Sequence, residues 1–126
     1  MATILLVDND PFQALQRKFI LERRFRDVER VGDASEALCL VEQPQFAGNL
    51  GLVISGHHMP GIGGPAFVAE LHIRMPLLPV LVLGDAADDA DDYAGEGVRF
   101  LAMPFATQKM LETVNQMLAQ CEHKVA

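Results

Sequence analysis

Five short runs of branched apolar residues, at positions 4–7, 28–31, 52–54, 80–83 and 98–101, recur along the chain, and they constrain its fold more than any other feature. Each has the length and composition of a β-strand. The segments between them carry helical spacing instead. Leu15, Phe19 and Glu22 follow Pro11, and Ala37, Leu38 and Val41 follow a candidate N-cap, Asp33. Further helices are expected at 65–74, in the acidic stretch 88–94 and at 107–121. There Met110, Leu111, Val114, Met117 and Leu118 mark the clearest amphipathic helix. Residues 43–51 read as a loop. Near-continuous apolar strands imply a parallel sheet covered on both faces, and right-handed crossovers then give an α/β, doubly wound, five-stranded fold. In such a fold, function sits at the carboxyl ends of the strands.

A chain of 126 residues fits one domain with a self-sufficient core, expected over residues 1–121, and an unstructured tail at 122–126. Cys39 and Cys121 are far apart in apolar helical contexts and read as reduced, buried thiols rather than a bridge. No basic segment precedes the first apolar run, and that run is too short to span a bilayer. A soluble, cytoplasmic protein with no membrane contact is expected. The formal net charge of −7 disfavours nucleic acid as a partner, because phosphate backbones are held mainly by Lys and Arg. Protein partners are expected.

Three landmarks fall at the ends of the first, third and fifth strands. They are Leu6-Val7-Asp8-Asn9-Asp10-Pro11, Met59-Pro60-Gly61-Ile62-Gly63-Gly64 and Met103-Pro104-Phe105. In this combination and order the chain resembles, over nearly its whole length, the receiver domain of bacterial response regulators in two-component and phosphorelay signalling. The resemblance implies a flavodoxin-like, receiver-type fold, with an acceptor Asp three residues before the Met-Pro pair, a Ser or Thr at the end of the fourth strand, and a Lys before the Pro-Phe. This chain has Gly56, Gly84 and Met103 there. Gly56 has no carboxylate to attack a phosphoryl donor, Gly84 no hydroxyl to bond the transferred group, and Met103 no ammonium to balance its charge. A degenerate pseudo-receiver without catalytic residues, not an enzyme, is expected.

The acidic pair that holds Mg²⁺ in the family aligns with Asp8 and Asn9. With the acceptor carboxylate gone, Mg²⁺ binding is expected to be weak or absent, with Asp8 and Asp10 as weak metal candidates and no cofactor. Asp8 also reads as a cap of the first helix before Pro11. The expected relict pocket comprises Asp8, Asn9, Asp10, His58 and Asp85, while His57 and His58 match no metal motif and read as solvated loop residues. Asp85 either stands in for phosphoryl charge or N-caps the following helix with Asp88. Phe100 takes the family's switch-aromatic position and either rotates or simply packs. Gly61, Gly63 and Gly64 lack P-loop spacing and read as a tight loop with positive φ. A Ser55 acceptor is disfavoured, because the supporting Lys and hydroxyl are missing too.

The function these residues imply is a signalling module working through phosphorylation-independent protein contacts. The partner is expected to be another protein, an output domain or a second copy. The family places the contact on the face made by the helix after Asp88, the fifth strand around Arg99, and the exposed side of 107–120. The competing reading is a metal- or small-ligand-sensing module built on Asp8, Asp10, Asp85 and His58.

Overall fold

The computed structural model describes residues 2–85, Tyr93 and 97–125, with side chains through Ala119. The elements run β1 (Thr3–Val7), α1 (Pro11–Glu22), β2 (Val28–Val31), α2 (Ala34–Val41), α3 (Pro44–Asn49), β3 (Leu50–Gly56), α4 (Gly64–Arg74), β4 (Val80–Gly84), β5 (Val98–Ala102) and α5 (Thr107–Val125). The strands form one parallel sheet in the order β2-β1-β3-β4-β5. This is the expected doubly wound, flavodoxin-like architecture, with α1, α2, α3 and α4 in the connections between the first four strands.

Period-two alternation divides the apolar strands between two cores. Leu5, Val7, Val53, Val80 and Val82 pack against Ala34, Ala37, Val41, Phe67, Val68 and Leu71 of α2 and α4. Ile4, Leu6, Leu52, Ile54, Leu81 and Leu83 pack on the other side against Leu21 of α1 and Met110, Leu111, Val114 and Met117 of α5. Burial on both faces explains why the strands read as unbroken apolar runs.

Three sequence-based expectations are corrected. The loop expected at 43–51 holds α3, which Pro44 opens from the first helical turn. The backbone of α5 stays helical to Val125, beyond the Cys121 boundary where a tail was expected. Cys39 is exposed rather than buried, because it lies on the outer face of α2, while Ala37 and Val41 turn inward. In α1, the inward residues are Ala14 and Leu21. Leu15 and Phe19, whose spacing marks the helix, face solvent and are 70% and 66% exposed. The side chain of Cys121, the expected helix at 88–94 and its acids Asp88, Asp89, Asp91 and Asp92 lie outside the described residues. Among those described, no helix is long and apolar enough to cross a membrane.

Candidate functional site

Sheet register brings four strand ends together. Val7 lies beside Ser55, Gly56 beside Leu83, and Gly84 beside Ala102. The residues leaving these strands therefore share one mouth. A cavity of about 260 Å³ opens there, lined by Asp8, Asn9, Gly56, His57, His58, Gly84, Asp85 and Met103, with Gln13 and Arg17 of α1 forming its wall. Asn9, His58 and Asp85 are surface residues at its rim.

Asp10 belongs elsewhere. Its Oδ1 accepts the backbone N–H groups of Phe12 (3.0 Å) and Gln13 (3.2 Å), so Asp10 rather than Asp8 caps α1. Asp10→Ala is expected to lower stability by about 1 kcal/mol, read from urea denaturation, because two amides at the helix start lose their acceptor. An unchanged midpoint would show that solvent replaces the cap without penalty.

Asp8 is 7% exposed, and its carboxylate meets a partner that the sequence reading passed over. Arg17 Nη1 donates to Asp8 Oδ2 at 3.0 Å, with the Arg17 side chain only 12% exposed. The other carboxylate oxygen accepts the Asp10 amide at 3.0 Å. From β2, Arg30 Nε and Nη2 donate to the Asp8 main-chain carbonyl at 3.1 and 2.7 Å. Arg17 Nη2 lies 3.3 Å from the sulfur of Met103. The guanidinium thus sits between β1 and the β5–α5 turn, where it balances Asp8 in a partly desolvated setting. One sequence signal pointed to it: Arg17 lies three residues after Ala14 and four before Leu21, on the helix face that turns inward.

His57 is a second correction. It is 8% exposed rather than solvated, because it continues the buried β3, and its backbone N–H donates to Leu83 O at 2.9 Å. Its Nδ1 lies 2.7 Å from the Tyr93 hydroxyl. Its ring meets those of Tyr93 and Phe100 edge-on, with centroids 5.5 and 6.2 Å away. Two glycines make room for this aromatic cluster. A Cβ on Gly84 would overlap the Phe100 ring and come within 3.2 Å of His57 Cβ, and one on Gly64 would overlap the Tyr93 hydroxyl and approach His57 O to 2.9 Å. Phe100 therefore lies across the end of β4. Of the three loop glycines, only Gly61 has positive φ, at 84°. Ser55 Oγ is engaged locally: it donates to Gly56 O at 2.9 Å and lies 3.4 Å from Met59 Sδ.

Mg²⁺ requires near-octahedral oxygen ligation from carboxylates and water. Here one Asp8 oxygen is held by a guanidinium, Gly56 offers no side chain, and Asp10 is committed to the cap. Among the described residues, no three of His, Cys, Asp and Glu are grouped to hold a metal ion. These residues do not fit the divalent cation of the family.

The segment 4–115 matches the family model described as "Response regulator receiver domain". Among curated proteins, the chain is 28% identical over 120 residues to the sensor kinase CckA of Brucella abortus, covering 93% of this chain and 12% of that protein. It is also 28% identical over 118 residues to the C4-dicarboxylate transport transcriptional regulatory protein DctD of Pseudomonas aeruginosa, covering 91% and 25%. The chain thus spans a quarter or less of either relative. Among solved structures, it superposes on a response regulator receiver domain protein from Clostridium thermocellum with a TM-score of 0.87 at 22% identity, covering 97% of this chain and 98% of that one. The receiver domain of the hybrid histidine kinase CckA gives a TM-score of 0.77 at 28% identity, with 93% and 99% covered. Its parallel sheet, its order of elements and its strand-end site agree with these matches, and the chain belongs to the response regulator receiver domain family.

Proposed function

We propose that this chain is a receiver module of two-component signal transduction, working in the cytoplasm through protein contacts that do not depend on phosphorylation. The observation that carries this reading is how the strand-end cavity is filled. Arg17 neutralises Asp8, and the Phe100 ring lies where a side chain on β4's last residue would stand. With Gly56, Gly84 and Met103 at the acceptor, hydroxyl and lysine positions, the cavity has neither a nucleophilic carboxylate nor the groups that would stabilise a bound phosphoryl. The relatives are named as a sensor kinase and a transcriptional regulator, so the partner is best sought among kinase and output domains. The cation-sensing reading loses support, since Asp8, His58 and Asp85 line the cavity but Asp10 does not.

Incubation with a small phosphodonor, with and without Mg²⁺, is expected to leave both the intact mass and the thermal midpoint unchanged. An acid-labile gain of one phosphoryl group would overturn the proposal. A midpoint that rises with Mg²⁺ concentration would favour a cation sensor, since a ligand that binds only the folded state stabilises by mass action.

A further inference from the structure

Phe12, Leu15 and Phe19 are 84%, 70% and 66% exposed, and their i, i+3, i+7 spacing sets them in one stripe along α1. Contiguous exposed apolar surface of this kind marks a binding face. The face expected from family resemblance is different in character: the exposed residues described on α5 include Gln108, Lys109, Glu112, Asn115 and Gln116, and Arg99 of β5 is bonded to Gln116 at 2.9 Å. Among the described residues, the other large exposed apolar side chains, Ile73 and Leu77, lie at and beyond the end of α4.

We propose that α1 is a self-association surface that pairs antiparallel with α1 of a second copy about a twofold axis near Leu15. Charge complementarity selects this occupant. Exposed Arg23 continues the stripe one turn beyond Phe19, with Arg24 and Arg26 beside it, while the opposite end carries exposed Asp10, which commits only Oδ1 to its cap. Antiparallel pairing sets the basic end of each helix on the acidic end of the other, stacks Phe12 on the partner's Phe19, and opposes the two helix dipoles. Parallel pairing would set basic end on basic end. A helix of 12 residues is only about 18 Å long, so the interface is small and the dimer should be concentration-dependent. The inference stands on the α1 surface alone and does not require the cavity to be inert to phosphodonors.

Sedimentation equilibrium of the whole chain over a concentration series tests it. A monomer–dimer equilibrium that weakens with added salt is expected, and Leu15→Glu should raise the dissociation constant by roughly thirtyfold or more, as for a residue at the centre of an interface. Phe19→Glu provides a second disruption, and Arg23→Glu should weaken the dimer without touching the apolar stripe; circular dichroism verifies that each variant folds. Three outcomes would overturn the proposal. They are a wild-type chain that stays monomeric throughout, a dimer insensitive to both Leu15→Glu and Phe19→Glu, and a monomer whose stripe instead binds an acidic amphipathic peptide. Phosphorylation of the chain would sink the proposed function and leave this result untouched.

Discussion

Replacing Arg17 with methionine is expected to lower the unfolding free energy by about 3 kcal/mol, as for breaking a buried ion pair by removing one partner. Methionine reaches nearly as far as arginine and fills similar apolar space, so the loss reports on charge rather than on a cavity. What remains is the Asp8 carboxylate, 7% exposed, which keeps the Asp10 amide at 3.0 Å but loses its ion-pair partner. Removing the carboxylate as well, in Arg17→Met with Asp8→Asn, should recover part of that loss, because neither member then leaves an uncompensated charge. Urea denaturation at neutral pH reads both variants. A loss below about 1 kcal/mol for the single variant would mean that the pair behaves as a solvated surface bridge, and Arg17 would not be holding the strand ends together. The same variant removes the cation that occupies the acidic corner, so it is also the form in which any latent affinity of Asp8 for a divalent ion should first become measurable.

The sheet was legible in the sequence because its strands are buried on both sides, which leaves continuous apolar runs bounded by polar loops. Asp33 was legible as a cap for an equally local reason: its side chain accepts the Glu36 amide three residues on, at 2.8 Å. The site was read less completely. Gly56, Gly84, Met103, Asp8, Asn9, His58 and Asp85 line one mouth, because residues leaving adjacent parallel strands are neighbours. Arg17 was missed because hydrophobicity pointed to the wrong face of α1. Two stripes run along that helix, Phe12-Leu15-Phe19 and Ala14-Arg17-Leu21, and the more apolar one faces solvent. A rule that turns the apolar stripe inward fails where a helix keeps its apolar surface for association and covers its own sheet with a small residue and an ion pair. His57 was missed for a tertiary reason. Whether a histidine beyond a strand is solvated depends on what packs over it, and Tyr93 lies 36 positions away.

Restoring a hydroxyl at the end of β4 should destabilise the fold rather than repair it. Gly84→Thr is expected to cost about 2 kcal/mol, in the range for overpacking a filled site. The obstacle has two parts with different freedom. The Phe100 ring tip is the far end of a side chain and can swing away, but only by leaving its edge-on contact with His57 and its place near Tyr93, whose ring centroid lies 6.1 Å away. His57 Cβ, 3.2 Å from the position of a Gly84 Cβ, is fixed by a backbone that is bonded to Leu83 and Gly64. Truncating the ring should therefore relieve most of the penalty, but not all of it. In a double-mutant cycle of Gly84→Thr with Phe100→Ala, a favourable coupling of about 1 kcal/mol or more is expected from denaturation free energies. Additivity within about 0.5 kcal/mol would mean that the ring moves out of the way without penalty. Phe100 would then be a switch between two positions of similar energy, and a receiver held in one state by its own aromatic packing would be the wrong description. A measured coupling would instead tie Gly84 to the inward ring: the glycine is what lets Phe100 lie across β4, and the ring in turn leaves no room there for the side chain that phosphotransfer would need.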